Sequence, residues 1–115
     1  MKYIKKFENN NDIKIDTKYF KDPPCKKYVA YKTIFSDGKE YVHVIKVLDV
    51  GFLIHYNSVW TYDFIDDKFI KPSFPESISA YNANEIINRM VYTSDDLNEL
   101  LKKLPTVVSA NKYNL

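Results

Sequence analysis

Val59-Trp60-Thr61-Tyr62-Asp63-Phe64 decides the fold of this chain. Trp60, Tyr62 and Phe64 alternate with Val59, Thr61 and Asp63. Successive side chains of a strand point to opposite faces, so this spacing predicts a strand with three large aromatic rings on one face. Such a face is either the floor of a hydrophobic core or a stacking surface for a ligand, and the six residues fit both.

The flanking residues extend the pattern. Upstream, Asp49-Val50-Gly51 is expected to reverse the chain into Phe52-Leu53-Ile54-His55-Tyr56. Asn57-Ser58 then reads as a two-residue turn that pairs Tyr56 with Val59 and His55 with Trp60. Further upstream, residues 26–35 and 40–48 are rich in Tyr, Val, Ile and Thr and are separated by Asp37-Gly38. Asp-Gly between two such runs predicts a hairpin with a type I′ turn, which sets Lys32 opposite His43 and Tyr31 opposite Val44. Downstream, Asp66-Asp67 turns the chain into Phe69-Ile70, which Pro72 ends. The reading is an antiparallel β-meander of about five strands across residues 26–71, or the same meander closed into an SH3-like small barrel.

The period changes near the C-terminus. Leu97, Leu100, Leu101 and Leu104 share one helical face. Ser94 is the expected N-cap, Asp95-Asp96 suit the positive end of the helix dipole, and Pro105 is expected to stop the helix. This places a helix over 95–104 and an aperiodic tail over 105–115. A shorter helix over 82–89, capped by Asn82 or Asn84, and a short strand at Met90-Val91-Tyr92 precede it. Residues 1–24 read as an N-terminal arm, broken by Asn9-Asn10-Asn11-Asp12 and by Pro23-Pro24, with Ile13 and Ile15 able to form a short strand. The fold class is therefore α+β: one domain over 25–115, with the meander packed by the C-terminal helix.

Residues 51–65, Gly51-Phe52-Leu53-Ile54-His55-Tyr56-Asn57-Ser58-Val59-Trp60-Thr61-Tyr62-Asp63-Phe64-Ile65, resemble the strand pair of chromo-barrel and Tudor-like domains. In those families a His-Tyr stretch leads into a Trp-bearing aromatic and acidic strand. Val59 stands where they place glycine before the tryptophan. The resemblance implies a small-barrel topology and nothing about methyl-lysine recognition.

Composition bounds the function. The chain has 115 residues, 45% of them hydrophobic and 16% aromatic, which suits one folded domain with a core of its own. Cys25 is the only cysteine, so no internal disulfide forms, and the usage fits a reducing compartment. The first eight residues lack the apolar run of a secretory signal, and no run is long enough to span a membrane, so the expected location is cytoplasmic. The net charge is +2, and of 17 basic residues only Arg89 is arginine. Arginine is the residue for bidentate reading of guanine and phosphate, so base-specific DNA recognition is not expected. The abundance of Lys, Asn, Ile and Tyr follows AT-rich codons and points to an AT-rich bacterium or its phage.

The side chains offer little chemistry. His43 and His55 fall on neighbouring strands with Asp49 and Asp63 nearby, short of the three or four ligands in signature spacing that zinc takes. Asp63, Asp66 and Asp67 cluster, but the last two read as a turn. Lys26-Lys27 beside Cys25 would lower a thiol pKa, yet no positioned histidine accompanies it. The expectation is a small non-enzymatic binding protein with no cofactor and no metal. It would be phage or mobile-element encoded and would bind and block a host protein such as a defence component. Tyrosine and tryptophan are the usual interface anchors, and the expected binding residues are Tyr41, Tyr56, Trp60, Tyr62 and Phe64. The alternative is a binder of single-stranded nucleic acid or a small nucleotide through that aromatic face. An enzyme built on His43, His55 and Asp63 requires the three to converge in one pocket. The leucine stripe leaves a homodimer as a further arrangement.

Overall fold

The structure is a computed structural model and describes residues 13–113. Its elements run β1 (Lys14–Ile15), β2 (Tyr28–Ile34), β3 (Glu40–Val50), β4 (Leu53–Asp63), β5 (Lys68–Ile70), β6 (Ile78–Asn82), α1 (Ala83–Asn88), β7 (Met90–Ser94) and α2 (Leu97–Tyr113). One open sheet of seven strands has the order β5-β4-β3-β2-β7, with β6 also on β4 and β1 on β3. Among the described residues only the β1–β3 pairing is parallel. The architecture is α+β as expected, but among the described residues the strands number seven rather than five and do not close into a barrel.

Two turns differ from expectation. In the first hairpin Tyr31 pairs with His43 and Lys32 with Val42, one residue out from the expected register. A type I′ turn needs φ > 0 at both central residues. Here Gly38 alone is positive, at φ 82°, and Phe35 N–H donates to Lys39 C=O at 3.0 Å across a three-residue loop. Asp37 instead caps the loop, its carboxylate accepting from Lys39 N–H at 2.8 Å and Tyr41 O–H at 2.9 Å.

The second expected turn, at Asn57-Ser58, does not form, and β4 runs through it unbroken. Neither residue is a glycine that would make a tight primed turn easy. Asn57 is instead paired on both sides, with Lys46 of β3 and Ile78 of β6. Val44 and Ile45 face Trp60 and Ser58, so Val59 is the extra residue of a β-bulge. A bulge of one residue shifts the alternation by one. Ile54 and Tyr56 therefore face one side of the sheet while Trp60 and Tyr62 face the other.

Each face has its own core. On one, Val29, Tyr31, Ile45, Val47, Ile54 and Tyr56 pack with Cys25, with Ala83 and Ile86 of α1, and with Ile13, Ile15 and Phe20 from the N-terminal segment. On the other, Ala30, Val42, Val44 and Tyr62 pack under Leu100, Leu104 and Val108 of α2. A sheet apolar on both faces needs two covers, and residues 13–25 with α1 supply the one that the C-terminal helix does not. The rest of the expected arm, residues 1–12, lies outside the described residues.

The first helix has one of its two expected caps, whereas the second departs from the sequence reading. Asn82 caps α1, accepting from Glu85 N–H at 3.2 Å. For α2 the cap is Asp96 rather than Ser94. Its carboxylate accepts from Asn98 N–H at 2.9 Å, while Ser94 Oγ accepts from Asp96 N–H and bonds to Glu99. Pro105 does not stop the helix, which continues to Tyr113. A proline inside a helix forfeits one hydrogen bond to residue i−4. Val108 continues the leucine stripe at i+4 from Leu104 and is fully packed, so burial on the far side of Pro105 holds the helix together.

Candidate functional site

The structure separates the expected binding residues. Trp60, Tyr62 and Phe64 share the α2 face, where Tyr62 is buried and the other two half-buried. Tyr62 O–H donates to Asp67 Oδ1 at 2.6 Å, and burial followed by that carboxylate pushes its pKa up to about 12. Phe69 closes against both rings, its centroid 4.7 Å from Tyr62 and 6.1 Å from Trp60. Tyr56 packs on the opposite face, and Tyr41 is spent on its bond to Asp37. The five aromatics form no common surface.

The titratable groups are separated in the same way. His43 sits between Tyr31 O–H and Ser58 O–H, each 2.9 Å from a ring nitrogen, and burial holds its pKa down to about 4. His55 lies between Ile54 and Tyr56, both in the first core, so it points to the other face from His43. There its Nδ1 meets Asp49 Oδ1 at 2.6 Å, beside an open groove of about 500 Å³ that Phe52 and Tyr19 border. Asp63 is buried at the end of β4, its carboxylate accepting from Asp66 and Ile65 N–H, and the Asp66 amide before all else holds its pKa low. His43, His55 and Asp63 therefore do not converge. Among the described residues no three His, Cys, Asp or Glu side chains are placed to hold a metal ion. Cys25 departs from the sequence reading, since burial pushes its thiol up to about 11.

A surface that the sequence reading missed flanks β4. Phe52, Leu53, Ile65, Phe69, Ile70, Phe74, Ile78 and Tyr81 are all exposed large apolar side chains. They belong to the turn before β4, to the turn and strand after it, and to β6 with its leading loop. Phe74 is 75% exposed and Ile78 66%. Asn57 Nδ2 anchors the loop by donating to Ser77 C=O at 3.1 Å. Strand β6 reads Ile78-Ser79-Ala80-Tyr81-Asn82, without charge or proline. Proteins usually blunt an edge strand with lysine, proline or a bulge, and β6 has none of these. The available signal was Phe74 and Ile78 standing in a polar, proline-bounded segment with no helical or strand period to bury them.

Searches of known protein families, curated proteins and solved structures returned no match to this chain.

Proposed function

We propose that this is a small non-enzymatic protein that works by covering a partner protein, with the β5–β6 side of the sheet as its contact surface. The supporting observation is the set of exposed apolar residues around Phe74, Ile78 and Tyr81. Large apolar side chains left exposed on neighbouring segments along one edge of a small domain are a usual mark of a protein interface where they join into one patch. The AT-rich residue usage supports a phage or mobile-element origin, with a host protein such as a defence component as partner and the host cytoplasm as the place of action. The test is capture on the tagged chain from nuclease-treated host lysate. One stoichiometric protein retained by the wild type and lost on the Phe74→Asp, Ile78→Lys double variant supports the reading. Equal capture by both proteins refutes the contact surface.

A second reading, binding of single-stranded nucleic acid, has one supporting observation. Lys71 Nζ stands 5.9 Å from the Trp60 ring centre and Lys32 Nζ 5.8 Å from that of Phe64, so cations border partly exposed rings. This reading requires Trp60 fluorescence to be quenched by an oligonucleotide and restored by salt. An unchanged spectrum removes it.

A further inference from the structure

The backbone of β6 narrows what the partner must present. Antiparallel neighbours alternate between pairs that exchange hydrogen bonds and pairs that do not. Ala83 N–H donates to Phe52 C=O at 3.0 Å, which makes Phe52·Ala83 a bonded pair. Stepping by two along the register, Ile54·Tyr81 and Tyr56·Ser79 are bonded, whereas Leu53·Asn82, His55·Ala80 and Asn57·Ile78 are not. The N–H and C=O groups of Ile78 and Ala80 therefore point away from β4, as does the N–H of Asn82, whose C=O is taken by the first turn of α1. Among the described residues no strand lies on that side.

We propose that the partner enters as an extended strand laid along β6, adding an eighth strand to the sheet. This deepens the protein-binding reading above and rests on it. A row of outward backbone groups is matched along its length by another extended backbone, and the exposed Ile78 and Tyr81 side chains supply a pocketless apolar contact on each face. The incoming segment is uncharged where it meets Ile78-Ser79-Ala80-Tyr81 and carries apolar residues opposite Ile78 and Tyr81. A second copy of this chain fits less well. Self-pairing that uses all three outward residues centres on Ala80, and it sets Ile78 against Asn82 and Tyr81 against Ser79. Both apolar side chains then meet polar ones.

Ala80→Pro tests this directly. Its N–H makes no bond to β4, so proline is tolerated there in the free protein and blocks only the incoming strand. Ala80→Lys, which leaves the backbone intact and charges the edge, is the companion variant. Unchanged circular dichroism and melting establish that each variant folds. The probe is the protein captured by the wild type from nuclease-treated lysate, then purified with it. The expected result is a loss of affinity on the order of tenfold or more for Ala80→Pro. Amide exchange at Ile78 and Ala80 slows on binding, while Ser79 and Tyr81, already bonded, change little. A partner lost on Phe74→Asp, Ile78→Lys but held by Ala80→Pro refutes strand addition and leaves the contact surface standing. Empty capture by the wild type refutes both. A dimer of the chain alone that Ala80→Pro dissolves assigns the edge to a second copy and refutes the proposal.

Discussion

Val108→Ala measures whether α2 continues past Pro105. Val108 is 4% exposed and packs in the cluster of Leu100, Leu104, Val44 and Tyr62. Removing two methyl groups from a packed site costs ~1.6 kcal/mol of transfer free energy at ~0.8 per group, before the cavity left behind adds to it. Alanine is the better helix former, which returns ~0.5 kcal/mol. The net expectation is a destabilisation of about 1.5 kcal/mol, read from urea unfolding with an unchanged slope. For a chain of this length that corresponds to roughly 6 °C in Tm. A helix ending at Pro105 would leave Val108 in a loose tail, and the substitution would then be neutral. A measured change within about 0.5 kcal/mol of zero, or a stabilisation, refutes the continuous helix.

Three further outcomes follow from particular residues. His43 is held neutral in the fold, with its pKa lowered from 6.5 to about 4 by burial. The unfolded chain therefore takes the proton first, and stability falls as pH drops from about 6.5 to 4, by an amount on the order of 3 kcal/mol. His43→Gln should flatten that window in urea titrations, and an unchanged slope would show that another group carries it. Cys25 is buried with its thiol raised to about 11, so a thiol reagent at pH 8 should label the native chain far more slowly than the urea-unfolded one. Equal rates would contradict its placement in the core. Gly38→Ala should cost roughly 1 kcal/mol because φ is 82° there, although nothing lies within 4 Å of the added methyl group. A neutral result would mean that the hairpin loop has relaxed to another turn.

Much of the fold was legible in local pattern. The leucine spacing of 97, 100, 101 and 104 marked the start of α2, and Asn82 announced α1, because both signals reside in a few neighbouring residues. What escaped notice depends on tertiary pairing. Strand β6 has modest strand propensity and follows Pro72 and Pro75, and it is a strand because β4 offers it an edge. The merging of two expected strands into β4 depends on partners to either side of Asn57, which no local window contains. The candidate site was less legible than the fold. Trp60, Tyr62 and Phe64 stood out by size, but size alone marks a core as readily as an interface, and here α2 covers that face. The exposed residues that matter, Phe74 and Ile78, acquire meaning only once the structure shows that among the described residues none packs over them.

The bulge at Val59 also governs how the molecule comes apart. Because β4 changes sides at that residue, its first half anchors one core and its second half the other. Strands β2 and β3 contribute alternate side chains to both as well. Neither layer can melt while leaving the other a complete floor, so the two should be lost in a single cooperative transition despite lying on opposite sides of the sheet. Shortening β4 by that one residue would restore an uninterrupted alternation. It would force either Ile54 and Tyr56 or Trp60 and Tyr62 onto the wrong side, exchanging the contents of two cores through the loss of a single peptide unit.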